Sequence, residues 1–488
     1  MEESEVEIED YRAFWQKPPF VVLGVVLLVV ATILLMVRLD VISWGADRVS
    51  DIVGEARYLQ KMVDEDILDM TPIGQLHSDN FPNYIAAIIQ SNHPAVDERV
   101  SAQLETMKLL AADDQLQSIL DAWHRDLMEG ETEVGEHEHA WNQRLKELGY
   151  GYAVVGGRLE DHGEYLYMPE SYRVHAEVAL RVDDHLVEVQ WRQRLDGFRR
   201  AGESTFYHKE SDESWVRTDR GWMTVWNHLS RAVLTDDEYE GIEEDFKFQW
   251  RGPLRREVRE ELGEEMFDAV VRGAIRRLEL REIARAVEVR GHRCGHRYRI
   301  VRVPWMGFDS DALERMQRMA RGDRFEDCPR LTEEEATRIR RHSRDLQSDI
   351  AFQRAMPHLL ALFLRQKTVM AAAFQHRAGL EDGAVCQDCE EWTALEAAEI
   401  GGYLTGISQG PYPHLGLFKL CFDHRYGSPQ SYRGWLMMLR DEGFRCRGTM
   451  PEDLFESLQA IEKERFSPIG SIDFEGEPPN TAPISRRD

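Results

Sequence analysis

Between Phe20 and Val37 the chain reads FVVLGVVLLVVATILLMV, 18 consecutive residues without a charge. At about 1.5 Å of helical rise per residue the run approaches the roughly 30 Å hydrocarbon thickness of a bilayer. It predicts one transmembrane helix over 19–39 that contacts membrane lipid. The start of the chain is acidic, Arg38-Leu39-Asp40 follows the run, and no small-residue cleavage pattern appears, so a retained signal-anchor is expected. Trp15 and Trp44 fall near the two ends, at headgroup level. Lys and Arg near those ends are too evenly divided to orient the span. A short N-terminal tail on a single-pass anchor favours an extracytoplasmic bulk.

Beyond that run the apolar spacing changes twice. Over 41–148 it is helical: Val49, Ile52, Ala56, Leu59 and Val63 recur at steps of three and four, a stripe able to pack on its own domain or on a second copy in a homo-oligomer. Further helices are expected at 84–90, 96–110 and 116–127. Over 149–232 the period falls to two. Val178, Leu180 and Val182, then Leu186 or Val187, Val189 and Trp191, alternate with polar residues on either side of Asp183-Asp184, which predicts a β-hairpin. SWVRTDRGWMTVWNHL reads as a second hairpin turning at Asp219-Arg220-Gly221, and more strands are expected at 151–156, 163–168 and 205–208.

Over 233–465 the helical period returns. Thr235 is a candidate cap, Pro357 a break between two helices, and Thr332 with Glu335, Thr393 with Glu396 and Thr449 with Glu452 have capping-box spacing. An acidic tail at 1–18 and a polar, proline-bearing flexible tail at 466–488 complete the division. The expected fold class is helix-rich α+β, one N-terminal transmembrane helix followed by a mixed soluble region.

Charge narrows the partners. With 88 acidic against 60 basic residues, the net charge of −28 produces a field that repels phosphate polymers, so nucleic acid is not an expected partner. The six cysteines pair in an oxidising compartment and stay reduced or metal-bound in a reducing one, so their chemistry depends on membrane orientation.

Two constellations point to metal. Cys386-x-x-Cys389 with Cys421-x-x-His424 has knuckle spacing on both halves and fits tetrahedral zinc. Disulfide pairing, with Cys446 as a partner, and unpaired buried cysteine are the alternatives. The second set gathers His292, Cys294 and His296 with His376, Glu396 and Glu399, loosely similar to the two-helix layout of zinc hydrolases. Arg293 stands where the H-E-x-x-H motif needs its general-base glutamate. No phosphate-binding loop, dinucleotide fingerprint or nucleophile elbow is present. The functional expectation is a membrane-anchored protein that binds a protein or other partner. The alternative is a zinc peptidase-like, metal-dependent hydrolase or its inactive descendant.

Overall fold

Thr71 accepts a hydrogen bond from the Gly74 amide at 3.2 Å, and Pro72 occupies the first helical position, so together they start α1 (Pro72–Gln75). The helix continues through a π-helical turn, Leu76–Asn80, into α2 (Phe81–Gln90). α3 (Glu98–Ala111), α4 (Asp114–Glu129) and α5 (Gly135–Glu147) follow, each burying a stripe at helical spacing: Val100, Leu104 and Met107, then Leu116, Leu120 and Trp123, then Trp141 and Leu145. These side chains form one core with Tyr152 and Val154 of the first strand. The computed structural model describes residues 71–90, 97–129, 135–161, 164–195, 205–208, 213–240, 246–293, 333–380, 385–387, 389, 391–422, 434 and 437–476. All belong to one unit, Tyr58–Asp488.

The sheet contains β1 (Tyr152–Asp161), β2 (Glu164–Val182), β3 (His185–Arg194), β4 (Thr205–His208), β5 (Glu213–Arg217) and β6 (Ile472–Phe474). Its order is β1-β2-β3-β5-β4, with β6 also on β2. The β3–β5 pairing is parallel and the others are antiparallel. The β2–β3 hairpin turns at Asp183-Asp184, with Asp183 in the left-handed region at φ 52°. Asp183 Oδ1 accepts from the amides of Gly470 and Ser471 at 2.8 and 3.0 Å, which aligns β6.

One face of the sheet packs on α11 (Ile350–Ala378). This helix is apolar over most of its circumference and buried accordingly. Val187, Val189, Trp191 and Val216 share its core, and Trp191 Nε1 donates to Thr368 Oγ1 at 2.9 Å. α6 (Thr218–Thr224), a π-helical turn (Val225–Leu229) and α7 (Ser230–Ala232) follow β5 directly. α8 (Arg251–Leu262), α9 (Glu264–Arg293), α10 (Glu333–Ser348), α12 (Ala394–Ser408), α13 (Pro413–Phe422) and α14 (Leu454–Arg465) complete the described helices.

Several sequence expectations are corrected here. The fold is helix-rich with a small mixed sheet, and among the described residues no helix is long and apolar enough to cross a membrane. The run Phe20–Val37, like the stripe over 49–63, lies outside the described residues. The transmembrane element of the fold class and the single-pass, signal-anchored localisation are therefore withdrawn.

The second expected hairpin is a strand followed by a helix: Trp222, Val225, Trp226 and Leu229 lie at helical spacing and enter the main core. Pro357 sits inside α11 and does not break it; burial of Ala355, Met356, Leu359 and Leu360 outweighs the roughly 3 kcal/mol cost of an interior proline. The break falls at Asp349, whose Oδ1 caps the Phe352 amide at 3.0 Å. Thr235 opens no helix, since its amide donates to Glu238 in a turn and α8 starts only at Arg251. Thr449 does not cap either; α14 starts after Asp453. The C-terminal stretch expected to be loose contributes β6. Thr332 lies outside the described residues.

Candidate functional site

Strand alternation places Arg192 and Arg194 on the face of β3 opposite Val189 and Trp191. Pairing then brings similar chemistry alongside. Parallel register sets Arg217 of β5 beside Arg192 and Trp215 beside Gln190, and antiparallel register sets Tyr172 of β2 beside Arg194. Glu170 lies two residues back on β2, and Asp219 and Arg220 follow β5 in the first turn of α6. Arg192, Arg194, Arg217 and Arg220 are all buried. Val155, Tyr172 and Trp215 form a small apolar cluster on the same side.

The polar groups interlock. Arg194 Nη1 lies 2.8 Å from Glu170 Oε1, and the Tyr172 hydroxyl donates to the other oxygen of Glu170. Arg217 holds Asp219 through two bonds, Nε to Oδ1 at 3.2 Å and Nη2 to Oδ2 at 2.5 Å. The Arg192 guanidinium lies over the Trp215 ring, 4.4 Å from its centroid, and its Nε donates to Gln190 at 2.7 Å. His175 Nε2 is 2.9 Å from the Gln193 side-chain oxygen.

Ionisation follows from these contacts. Burial opposes the charge of Arg217, but Asp219, Tyr172 and Glu170 outweigh it and hold its pKa above the ordinary arginine value. Burial and then the Glu170 charge push the Tyr172 phenol well above its usual range, so it stays a donor. Burial lowers His175 to about 4 and keeps it neutral at pH 7. The Nη1 of Arg217 is buried and has no hydrogen-bond partner among the described residues. The face thus carries planar guanidinium donors, the groups that match carboxylate and phosphate oxygens.

This face was not legible as a site. Arginines at period two beside an apolar face read as a solvated sheet surface, and only the burial reveals them. The residues singled out from the sequence lie elsewhere. Cys386 and Cys389 form one disulfide, and Cys421 pairs with Cys446 in another; His424 lies outside the described residues. The ring of His376 is 5.2 Å from that of His185, and burial and then His185 lower its pKa despite Asp183. Glu396 is engaged in a capping box with Thr393, while Glu399, one turn on, is buried and accepts from the Tyr403 hydroxyl at 2.6 Å. His292 belongs to the last turn of α9; its side chain, Cys294 and His296 lie outside the described residues. Among the described residues no group of three or more His, Cys, Asp or Glu is placed to hold a metal ion.

Compared with protein-family models, with curated proteins and with solved structures, the chain matches none.

Proposed function

We propose that the protein acts by binding, and that the arginine-bearing face of the sheet holds an anionic group, carboxylate or phosphate, of its ligand. Arg217 carries the reading. Its side chain is 1% exposed, Nε and Nη2 are engaged by Asp219, and Nη1 is buried with no acceptor among the described residues. A buried donor left unmade costs about 1–3 kcal/mol. A ligand oxygen at that position removes the cost, and the fork geometry of the guanidinium selects a planar or tetrahedral oxyanion.

The net charge of −28 agrees with short-range recognition in place of long-range steering. Fields from surface carboxylates are screened within about 8–10 Å at physiological salt, whereas a buried pair of partners is screened much less. The reading predicts selection by geometry, with little dependence on moderate salt.

Thermal unfolding of the full chain at constant ionic strength tests it. Added inorganic phosphate or succinate is expected to raise the Tm more than the same ionic strength of sodium chloride. The double variant Arg217→Gln/Asp219→Asn removes the pair together, leaves no orphaned carboxylate, and should lose the anion-dependent rise. An unchanged rise in that variant would exclude this face as the site.

A further inference from the structure

The described cysteines differ in kind. Cys421–Cys446 closes a loop with a sequence separation of 25, whereas Cys386–Cys389 spans only 3. So short a loop removes less entropy from the unfolded chain, and the bond is correspondingly less useful as a staple. Both its cysteines are only half-buried, within reach of another molecule, whereas in the other pair Cys446 is half-buried and Cys421 is 4% exposed. Arg465 extends Nη2 to 3.8 Å from Cys389 Sγ. A guanidinium there favours the thiolate of Cys389 over its thiol.

The loop is also held independently of the sulfurs. The Gln387 amide donates to Arg465 O at 2.7 Å, Ser467 N donates to Val385 O at 3.0 Å, and Cys386 pairs with Phe466 across an isolated antiparallel bridge. On the other side, the Trp392 amide donates to Cys389 O at 3.0 Å, just before the capping box of α12. Breaking the sulfur bond therefore leaves the loop anchored to the end of α14 and the start of α12. The scaffold suits reversible opening.

We infer that Cys386 and Cys389 form a thiol–disulfide exchange site served by a dithiol protein. A thiolate of the partner attacks Cys386 Sγ, the Cys386–Cys389 bond breaks, and Cys389 leaves as a thiolate beside Arg465. The partner's second thiolate then attacks the mixed disulfide, and Cys386 leaves and takes up a proton from water. The partner is oxidised to a disulfide by two electrons and this chain is reduced to a dithiol. Run backwards, the same steps reduce a disulfide of the partner to its dithiol and restore the Cys386–Cys389 bond here.

Graded dithiothreitol on the native full chain tests the proposal, with maleimide labelling and peptide mapping to assign each thiol. Cys386 and Cys389 should label roughly tenfold faster than Cys421 and Cys446. In Arg465→Gln, alkylation of reduced Cys389 at pH 7 should slow by about threefold, because its thiolate loses the cationic neighbour. Labelling of Cys386 and Cys389 only after denaturation would overturn the proposal. So would stoichiometric zinc on the isolated chain that disappears in Cys386→Ser, which would make the pair a metal site.

Discussion

Arg377 Nη2 of α11 meets Glu462 Oε1 of α14 at 2.8 Å, with both side chains excluded from solvent. Burial lowers the pKa of Arg377, and the Glu462 charge opposes that shift. Arg377 also donates to Thr405 Oγ1 at 2.7 Å, and Ser408 Oγ donates to Glu462 at 2.9 Å, so the pair ties α12 to its neighbours. Removing one partner strands a buried charge. Arg377→Met or Glu462→Leu should each lower stability by about 3–5 kcal/mol in urea unfolding, and Arg377→Met/Glu462→Leu by clearly less than their sum. Additive losses would show that the two charges are not coupled.

His77 lies in the π-helical turn, fully buried, with Nδ1 2.8 Å from Ser171 Oγ and its ring stacked 4.8 Å from Tyr152. Burial lowers its pKa to about 3. Below its unfolded pKa of about 6.5 the unfolded chain binds a proton that the folded chain refuses, so stability falls with pH from there down to about 3. The loss at pH 5 is about 2 kcal/mol at most. His77→Gln should flatten that part of the stability–pH curve. An unchanged slope would mean the ring is protonated, or open to water, in the folded state.

α12 lies against α11 through glycine. A Cβ on Gly402 would come within 2.8 Å of the Phe374 backbone, which cannot move aside as a side chain can. Gly402→Ala should therefore destabilise by about 1–3 kcal/mol although alanine is the better helix former. The same substitution at Gly252, where nothing lies within 4 Å, should be neutral or stabilising. Paired thermal melts of the two variants make the comparison.

How far the sequence could be read depended on whether a feature was local. The hairpin across Asp183-Asp184 follows strict alternation, and the capping box of Thr393 and Glu396 is complete within four residues. Trp222, Val225, Trp226 and Leu229 carried a helical period that the turn-like Asp219-Arg220-Gly221 obscured. A Cβ on Gly221 would stand 3.0 Å from Leu364 Cδ2, a close approach to a helix more than a hundred residues away that spacing does not reveal. The arginine face was illegible for a related reason: periodicity says which residues share a face and not whether that face is covered. Nor could spacing tell that Cys421 takes Cys446 while Cys386 takes Cys389.

Calorimetric titration of the full chain with inorganic phosphate and with succinate, at constant ionic strength, tests the binding account most directly. Saturable uptake of one anion per chain is expected, and it should be abolished in Arg217→Gln/Asp219→Asn while the far-UV circular dichroism stays unchanged. Absence of saturable heat with either anion, or equal binding by the double variant, would contradict the assignment of the arginine face as the ligand site.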